Sequence, residues 1–234
     1  MTEFYVISGS HGVGKTTVAT LVREIMKARG HATATFHHRA DKAVIAAASC
    51  AGATTRAAWK KSIWHFLPVP LRAWLVAAHD EQRYARSISR RIAAATADGT
   101  QAISDRYVYD RLVDLRLHAR ARPQISAVWV ACRLMRKPKM TFLLTDTPAR
   151  IHERKNELSP DQIATYQNAL RDLLIRLRIP HREIAVNGRE ATRVAEDIAA
   201  IIEVSAFSGA ALTQEQMVET LPDPPAEAVM RHDQ

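Results

Sequence analysis

The sequence predicts a three-layer α/β fold built on a doubly wound, parallel, five-stranded sheet. Short apolar runs alternate with helical stretches along the chain, as they do in successive βαβ units. The first of these runs, residues 4–7, leads straight into a glycine-rich segment that is followed by a helical pattern. A chain of 234 residues is long enough to bury the core of one such domain.

The expected elements follow from periodicity and from turn residues. Apolar residues recur at helical spacing from 18 to 25, directly after the glycine-rich segment. A later long helix is expected to stop at Asp98-Gly99, where the glycine supplies a terminator. We expect strands near 3–8, 32–36, 101–104, 140–144 and 182–186, and helices near 14–29, 71–97, 108–135, 148–157, 160–177 and 190–206.

Residues 9–16 carry the complete GxxxxGK[ST] pattern of a phosphate-binding loop. Glycines permit backbone torsions in which successive N–H groups point at phosphate oxygens. Lys15 adds a positive charge near the outer phosphates, the Thr16 hydroxyl suits Mg²⁺, and the following helix directs its positive end at the same place. The pattern predicts an ATP and Mg²⁺ site of the P-loop NTPase type, with these binding residues: Gly9, Ser10, His11, Gly12, Val13, Gly14, Lys15, Thr16 and Thr17.

A second polar group, Asp105-Arg106-Tyr107, follows the third predicted strand. Ligands of doubly wound folds bind beyond the carboxyl ends of the strands, so these residues are expected opposite the phosphate loop. The Asp105 carboxylate suits Mg²⁺ or the orientation of an acceptor, and the Arg106 guanidinium suits a phosphate. A structural ion pair that closes the turn is the alternative.

The ordered series of motifs resembles the thymidylate kinases and their thymidylate kinase-like relatives among the nucleoside monophosphate kinases. The motifs that carry the resemblance are Gly9 to Thr17, a helix with Gln82-Arg83, the strand end Asp105-Arg106-Tyr107, and Leu143 to Pro148 before a basic helix. The resemblance runs from about Phe4 to Ile202. It implies a kinase domain over 1–208 with a lid at about 148–160. The polar segment 209–234 is expected to be a tail.

The resemblance implies a role for each matched residue. Lys15, Asp105, Arg150 and Arg154 would be catalytic, and Arg154 best matches the lid arginine of the family. Thr16 and Asp105 would hold Mg²⁺. The phosphorylated small-molecule acceptor would be bound by the following residues: Arg39, Arg83, Arg106 and Tyr107. Solvated charges on exposed helices are the alternative for the lid arginines and for Arg83.

The chain departs from the family where the acceptor's base would be recognised. Residues 37–42 replace the Glu-Pro-Gly-Gly turn of the family, and His11 replaces an acidic residue of the phosphate loop. His11 is expected to bond a phosphate or Asp105, or to be merely tolerated. We therefore predict a Mg²⁺-ATP-dependent kinase for a nucleoside monophosphate, with dTMP as the first candidate. The alternatives are a same-fold kinase for a sugar, a sugar phosphate or another small metabolite, and a nucleotide-binding regulator or ATPase that acts through a partner.

Charge and composition restrict the partners and the location. The formal net charge is +9, and the stretch 111–139 holds eight Lys and Arg residues against Asp114 alone. We interpret this stretch as a solvated helix face or the wall of a polyphosphate site, rather than as a nucleic-acid patch. No apolar run reaches the ~18 to 20 residues of a membrane-spanning helix. Two cysteines and no recognisable signal segment indicate a cytoplasmic protein. The apolar 63–78 region is expected to form either a homodimer contact, as the resemblance implies, or a buried hairpin.

Overall fold

The computed structural model of the protein describes residues 3–37, 67–118 and 122–207. Five strands form a single parallel sheet in the order β2-β3-β1-β4-β5. The strands are β1 (Phe4–Gly9), β2 (Thr33–His37), β3 (Gln101–Asp105), β4 (Met140–Thr145) and β5 (His181–Ala185). The predicted five-stranded, parallel α/β fold is thereby confirmed.

Seven helices lie in the described parts of the chain. They are α1 (Lys15–Ala28), α2 (Val69–Ala95), α3 (Val108–Leu117), α4 (Arg122–Leu134), α5 (Pro148–Arg154), α6 (Pro160–Arg176) and α7 (Ala191–Phe207). The observed boundaries lie within a few residues of the predicted ones. Helix α2 ends before a short 3-10 turn in which Asp98 and Gly99 both have positive φ. The helix predicted over 148–157 ends at Arg154, because Lys155 is extended.

The strand order determines which face of the sheet each helix covers. The chain leaves β1 in one direction to reach β2, and every later connection runs in the opposite direction. Right-handed crossovers then place α1 on one face of the sheet and α2 to α6 on the other. In agreement, α2 packs on α4, and α3 packs on both α4 and α6. The connections that leave the neighbouring strands β1 and β3 run in opposite directions along the sheet. Folds of this class bind ligands beyond the carboxyl ends of the two strands at such a point.

The core lies on the central strands. All six residues of β1 are buried, and the ring of Tyr107 packs against the rings of Phe4 and Tyr109. Burial on both faces explains why β1 is a continuous apolar run in the sequence. Among the described helices, none combines the length and the hydropathy needed to cross a lipid bilayer.

The chain divides into two compact units, Met1–Ala199 and Ala200–Gln234. The sheet and the site described below belong to the first unit. Of the second unit the structure describes the last residues of α7. The predicted tail, residues 209–234, lies outside the described residues, so its boundary stays a prediction.

Candidate active site

The glycine-rich turn between β1 and α1 is the predicted phosphate loop. Gly9 has a φ of +148°, and a Cβ placed on it would lie 2.6 Å from the backbone oxygen of Leu144 on β4. Gly14, which precedes the first residue of α1, has a φ of +99°. A side chain at position 9 would therefore collide with the neighbouring strand, and the conformation of position 14 is one that other residues rarely adopt. The two glycines therefore allow the loop to turn tightly at the carboxyl end of β1.

Lys15 places a buried amine in this loop. Its side chain is 5% exposed, and its Nζ donates a hydrogen bond to the backbone oxygen of Ser10 at 2.6 Å. Burial, followed by the positive charge of Arg106, lowers the pKa of Lys15 to about 8. Within the described residues, the buried hydroxyl of Ser10 has no hydrogen-bond partner. The loop thus contains the Lys15 ammonium and the unpaired Ser10 hydroxyl, and both groups could bind an anion.

The structure brings together the two residues predicted to hold Mg²⁺. Thr16, in the first turn of α1, donates from Oγ1 to Asp105 Oδ2 at 2.5 Å. Asp105 ends β3 and lies level with Ile7 of β1 in the parallel register, which positions its carboxylate beside the phosphate loop. Hydroxyl and carboxylate oxygens are the ligands that Mg²⁺ prefers. The pair therefore fits a Mg²⁺ ion, which Thr16 and Asp105 would hold.

Arg106 lies beside His11 of the phosphate loop. Its two terminal nitrogens are each 3.4 Å from a ring nitrogen of His11, and Nη1 is 3.5 Å from Asp114 Oδ2. Asp114 on α3 also lies 3.1 Å from His11 Nε2 through its other oxygen. Arg106 reaches this position with a φ of +76°, which is uncommon for a residue other than glycine. Asp114 is thus a carboxylate that His11 contacts directly.

Asp114 is a site residue that the sequence analysis missed. Burial opposes ionisation of its carboxyl, but the hydrogen bond and positive charge of His11, together with Arg106, outweigh burial and lower its pKa. One carboxylate therefore holds the phosphate-loop histidine and the strand-end arginine together. One feature of the sequence could have indicated Asp114: it is the one acidic residue in the basic stretch 111–139.

A second missed carboxylate, Asp110, joins the same elements from inside the core. Asp110 is fully buried, accepts hydrogen bonds from Ser8 Oγ at 2.6 Å and from the backbone N–H of Tyr107 at 2.8 Å, and caps α3. Burial raises the pKa of its carboxyl, against the opposing charges of Arg106 and Lys15. Asp110 thereby ties the end of β1 to the start of α3 and fixes the turn that carries Arg106.

Tyr107 does not occupy the position expected of an acceptor-binding residue. Its side chain is 2% exposed, and its hydroxyl donates to the backbone oxygen of Arg136 at 2.7 Å. Its ring packs against Phe4 in the core. The prediction that Tyr107 contacts the acceptor is therefore wrong. After the turn at Arg106, the side chain of Arg106 lies beside His11, whereas that of Tyr107 lies in the core.

The two predicted lid arginines have different partners. Arg154, at the end of α5, forms an ion pair with Asp146, with 3.0 Å between Nη2 and Oδ2, and the Asp146 side chain is fully buried. The guanidinium of Arg150 lies against Gly188 in the turn after β5, since its Nη1 is 3.1 Å from where a Cβ on that glycine would be. Neither arginine pairs with the phosphate loop in the described structure.

The segment after α5 nevertheless lies directly on the phosphate loop. A Cβ on Gly12 would be 3.1 Å from Lys155 Cβ and 3.3 Å from Ile151 Cγ2. Glu157 Oε2 lies 3.7 Å from His11 Nδ1 and pairs through its other oxygen with Lys155. A Cβ at position 12 would therefore require Lys155 and Ile151 to shift by a few tenths of an ångström, so Gly12 permits the close approach of this segment to the loop.

No sequence profile of a known protein family matches the chain, and no curated protein matches it. Among solved structures, the chain is similar to the thymidylate kinase from Candida albicans, with 17% identity and a TM-score of 0.59 over 87% of this chain and 92% of that chain. This chain has a thymidylate kinase-like fold. The published description of the Candida enzyme notes the broad substrate specificity of that enzyme.

One predicted acceptor residue, Arg83, lies apart from the cluster around Arg106. Arg83 is half-buried on α2, and no hydrogen bond or ion pair joins it to the phosphate loop within the described residues. The buried charge on that helix is Glu81, which pairs with Arg111 of α3. Arg39 lies outside the described residues. No cluster of three or more metal-ligating side chains of His, Cys, Asp or Glu occurs in residues 3–37, 67–118 and 122–207.

Proposed function

We propose that the chain is a Mg²⁺-ATP-dependent phosphotransferase that transfers the γ-phosphoryl group of ATP to a nucleoside monophosphate, with dTMP as the first candidate. The observation that carries the proposal is the convergence at one edge of the sheet of the phosphate loop, the Thr16–Asp105 pair and Arg106. The thymidylate kinase-like fold supports it. Phosphoryl transfer needs phosphate positioning, a metal site and cations, and little covalent chemistry from the protein.

The nucleotide half of the site is formed by the loop and the start of α1. The backbone N–H groups of residues 9–17 would bind the phosphates. The Lys15 amine would leave the backbone oxygen of Ser10 and contact the phosphates as well, and Thr16 and Asp105 would hold Mg²⁺. Bound Mg²⁺ would offset the negative charge of the phosphates. The Lys15 amine would remain protonated beside these anions.

The acceptor half is formed around Arg106. Its guanidinium is held by Asp114 and lies beside His11, so it is oriented before the acceptor arrives. The acceptor phosphate would bind the guanidinium from the open side. Arg154 would move from Asp146 to the transferring group as the lid adjusts, and Arg150 would serve if Arg154 does not. A positioned arginine of this kind is worth on the order of 10³ in rate or more.

The test is ADP release from Mg²⁺-ATP with a panel of nucleoside monophosphates, sugars and sugar phosphates. We expect release that depends on an acceptor, that is greatest with dTMP and that is abolished by Lys15→Ala. Lys27→Ala is the matched control, because Lys27 is an exposed lysine on the same helix. Turnover that survives in Lys15→Ala would show that the phosphate loop does not carry the reaction.

A kinase for a sugar, a sugar phosphate or another small metabolite is the second candidate. The observation that favours it is the segment 37–42, which lacks the glycine pair of the thymidylate kinases. Stimulation by a non-nucleotide member of the same panel would identify it. ATP binding without stimulation by any acceptor would favour a nucleotide-binding regulator or ATPase.

We further propose a cytoplasmic protein that forms a homodimer. Cys132 is a free, buried thiol, which fits a reducing location, and Cys50 lies outside the described residues. Val69, Leu71 and Val76 expose between 42% and 69% of their surface at the start of α2, in the apolar region predicted to form the contact. Sedimentation equilibrium tests the dimer, and a monomer up to high micromolar concentration would exclude it.

A further inference from the structure

A second basic site lies at the ends of three helices. Arg116 is in the last turn of α3, Arg122 begins α4, and Arg176 ends α6. The cavity between them has a volume of about 380 Å³ and is completed by Ile125, Ser126 and Trp129. We refer to it as the three-arginine cavity. Arg116 and Arg122 belong to the basic stretch 111–139 of the sequence, and Arg176 lies outside it.

Trp129 holds one of the three arginines, Arg116, in place. The guanidinium carbon of Arg116 is 5.7 Å from the centroid of the Trp129 ring, and that of Arg133 is 5.2 Å from it. Both distances are within the range of cation–π attraction. A guanidinium that rests on a ring loses less rotamer freedom when it binds a ligand. Arg116 is therefore oriented in advance for a ligand, whereas Arg133 rests on the same ring and does not line the cavity.

The positive charges of the cavity are not neutralised by the protein. In the parts of the chain that the structure describes, no ion pair joins a carboxylate to Arg116, Arg122 or Arg176. Helix α4 contains no acidic residue. Asp172 lies one turn before Arg176 on α6, and the two form no ion pair in the described structure. The neighbouring Arg171, by contrast, binds Glu183 through two nitrogens. The cavity thus has the charge of an anion site and lacks an internal anion.

The three-arginine cavity is separate from the phosphate loop. The ring of Tyr166 on α6 meets the ring of His11 edge-on, with 5.8 Å between centroids. Arg176 lies ten residues further along the same helix, which is ~15 Å at a rise of 1.5 Å per residue. A ligand bound at the phosphate loop would therefore not extend its phosphates into the cavity.

We propose that the three-arginine cavity binds a small molecule that carries a polyphosphate group, such as a nucleoside triphosphate or inorganic triphosphate. Guanidinium groups match phosphate oxygens with paired hydrogen bonds. The volume fits a small ligand, for which sites of roughly 300–1,000 Å³ are usual. Three arginines from three helices converge on one cavity, whereas single-stranded nucleic acid is bound along extended grooves with several stacking platforms. The proposal does not depend on the kinase activity.

The experiment is calorimetric titration of the full chain with inorganic triphosphate, which has no base or sugar. We expect a site that persists in Lys15→Ala, whose phosphate loop has lost its lysine. Arg116→Ala, Arg122→Ala and Arg176→Ala should each weaken this site at least fivefold, which is about 1 kcal/mol. Arg90→Ala, which removes an exposed charge from α2, is the matched control and should bind as wild type. Affinity should also fall as salt rises, because the charges are near the surface.

Two results would overturn the proposal. Loss of all triphosphate binding in Lys15→Ala would assign every phosphate contact to the phosphate loop. Unchanged binding in the three arginine variants, with circular dichroism melts showing that they are folded, would remove the cavity from consideration. A single-stranded oligonucleotide provides a further arm. If it binds more tightly than triphosphate and through the same arginines, the ligand is nucleic acid and the small-molecule assignment is wrong.

Discussion

The lowered pKa of Lys15 predicts that the protein takes up a proton when it binds ATP. The free amine is buried and lies near Arg106, and these two causes bring its pKa to about 8. Bound phosphates would surround the amine with negative charge and restore a high pKa. Between pH 8 and the unfolded value of 10.5, the same difference makes the free protein more stable as pH rises, since the unfolded chain holds the proton more tightly.

The size of the effect follows from that pKa. With a pKa of about 8, roughly one tenth of the Lys15 side chains are neutral at pH 7 and about three quarters at pH 8.5. Proton uptake on ATP binding should therefore rise from about 0.1 to about 0.75 per site between these pH values. The dissociation constant for ATP should increase about tenfold from pH 7 to pH 9.

The assay is calorimetric titration with Mg²⁺-ATP at pH 7 and pH 8.5, in pairs of buffers that differ in ionisation enthalpy. At pH 8.5 the terminal phosphate is fully ionised, because its second pKa is about 6, so the ligand contributes no proton. Lys15→Arg is the control, since arginine keeps the positive charge and does not deprotonate in this range.

A buffer-independent binding enthalpy for the wild type at pH 8.5 would refute the reasoning. So would an equal proton uptake in Lys15→Arg, because the proton would then belong to another group. If Lys15→Arg binds too weakly to titrate, the pH dependence of the wild-type dissociation constant still decides the question.

Three further variants test single contacts. Asp105→Asn should lower kcat or Mg²⁺ affinity by about 10- to 100-fold, measured by ADP release over a Mg²⁺ series, because it removes the carboxylate beside Thr16. Gly9→Ala should cost roughly 2–4 kcal/mol in urea unfolding, because the new Cβ meets a backbone oxygen. Gly30→Ala, at a positive φ with open space around it, should cost only about 1 kcal/mol. Asp114→Asn should raise the KM for the acceptor about tenfold with a smaller change in kcat. Asp80→Asn, on a carboxylate that is 68% exposed, should change neither.

The sequence was sufficient to predict the elements that depend on local pattern. The phosphate loop could be located because its glycines meet backbone requirements that are visible at fixed spacing. Asp105 could be placed because parallel strands end at the same edge of the sheet. Helices were expected over 108–135, and α3 and α4 lie there. The sequence did not reveal that Arg116 of α3 and Arg122 of α4 line one cavity with Arg176 of α6.

The residues that the sequence did not reveal act across the fold. Asp110 bonds Ser8, 102 residues away, and Asp114 contacts His11, 103 residues away. No spacing rule connects such pairs, because they depend on how α3 lies against the end of β1. Tyr107 was assigned to the acceptor on the resemblance, because it follows Asp105 and Arg106 at the end of the third strand. A strand-end residue can turn toward the site or toward the core, and the backbone of the preceding residue decides which.

The backbone of Arg106 links the core to the candidate site, and it predicts an unusual order of stability among variants. Its φ of +76° is disfavoured for residues with a Cβ by roughly 1–2 kcal/mol. The buried Tyr107 ring on one side and the capped start of α3 beyond it maintain this conformation. The result is an Arg106 side chain directed at His11, while the side chain of Tyr107 fills the core.

If this description is correct, Arg106→Gly and Arg106→Ala should lose acceptor binding equally, because both lack the guanidinium. Arg106→Gly should nevertheless be more stable than Arg106→Ala by about 1 kcal/mol in urea unfolding, since glycine adopts the conformation without a steric penalty. At an ordinary turn position the order would be the reverse, because glycine has more freedom to lose on folding. An alanine variant as stable as the glycine variant would show that the turn relaxes, and that Tyr107 and Asp110 do not impose the geometry of Arg106.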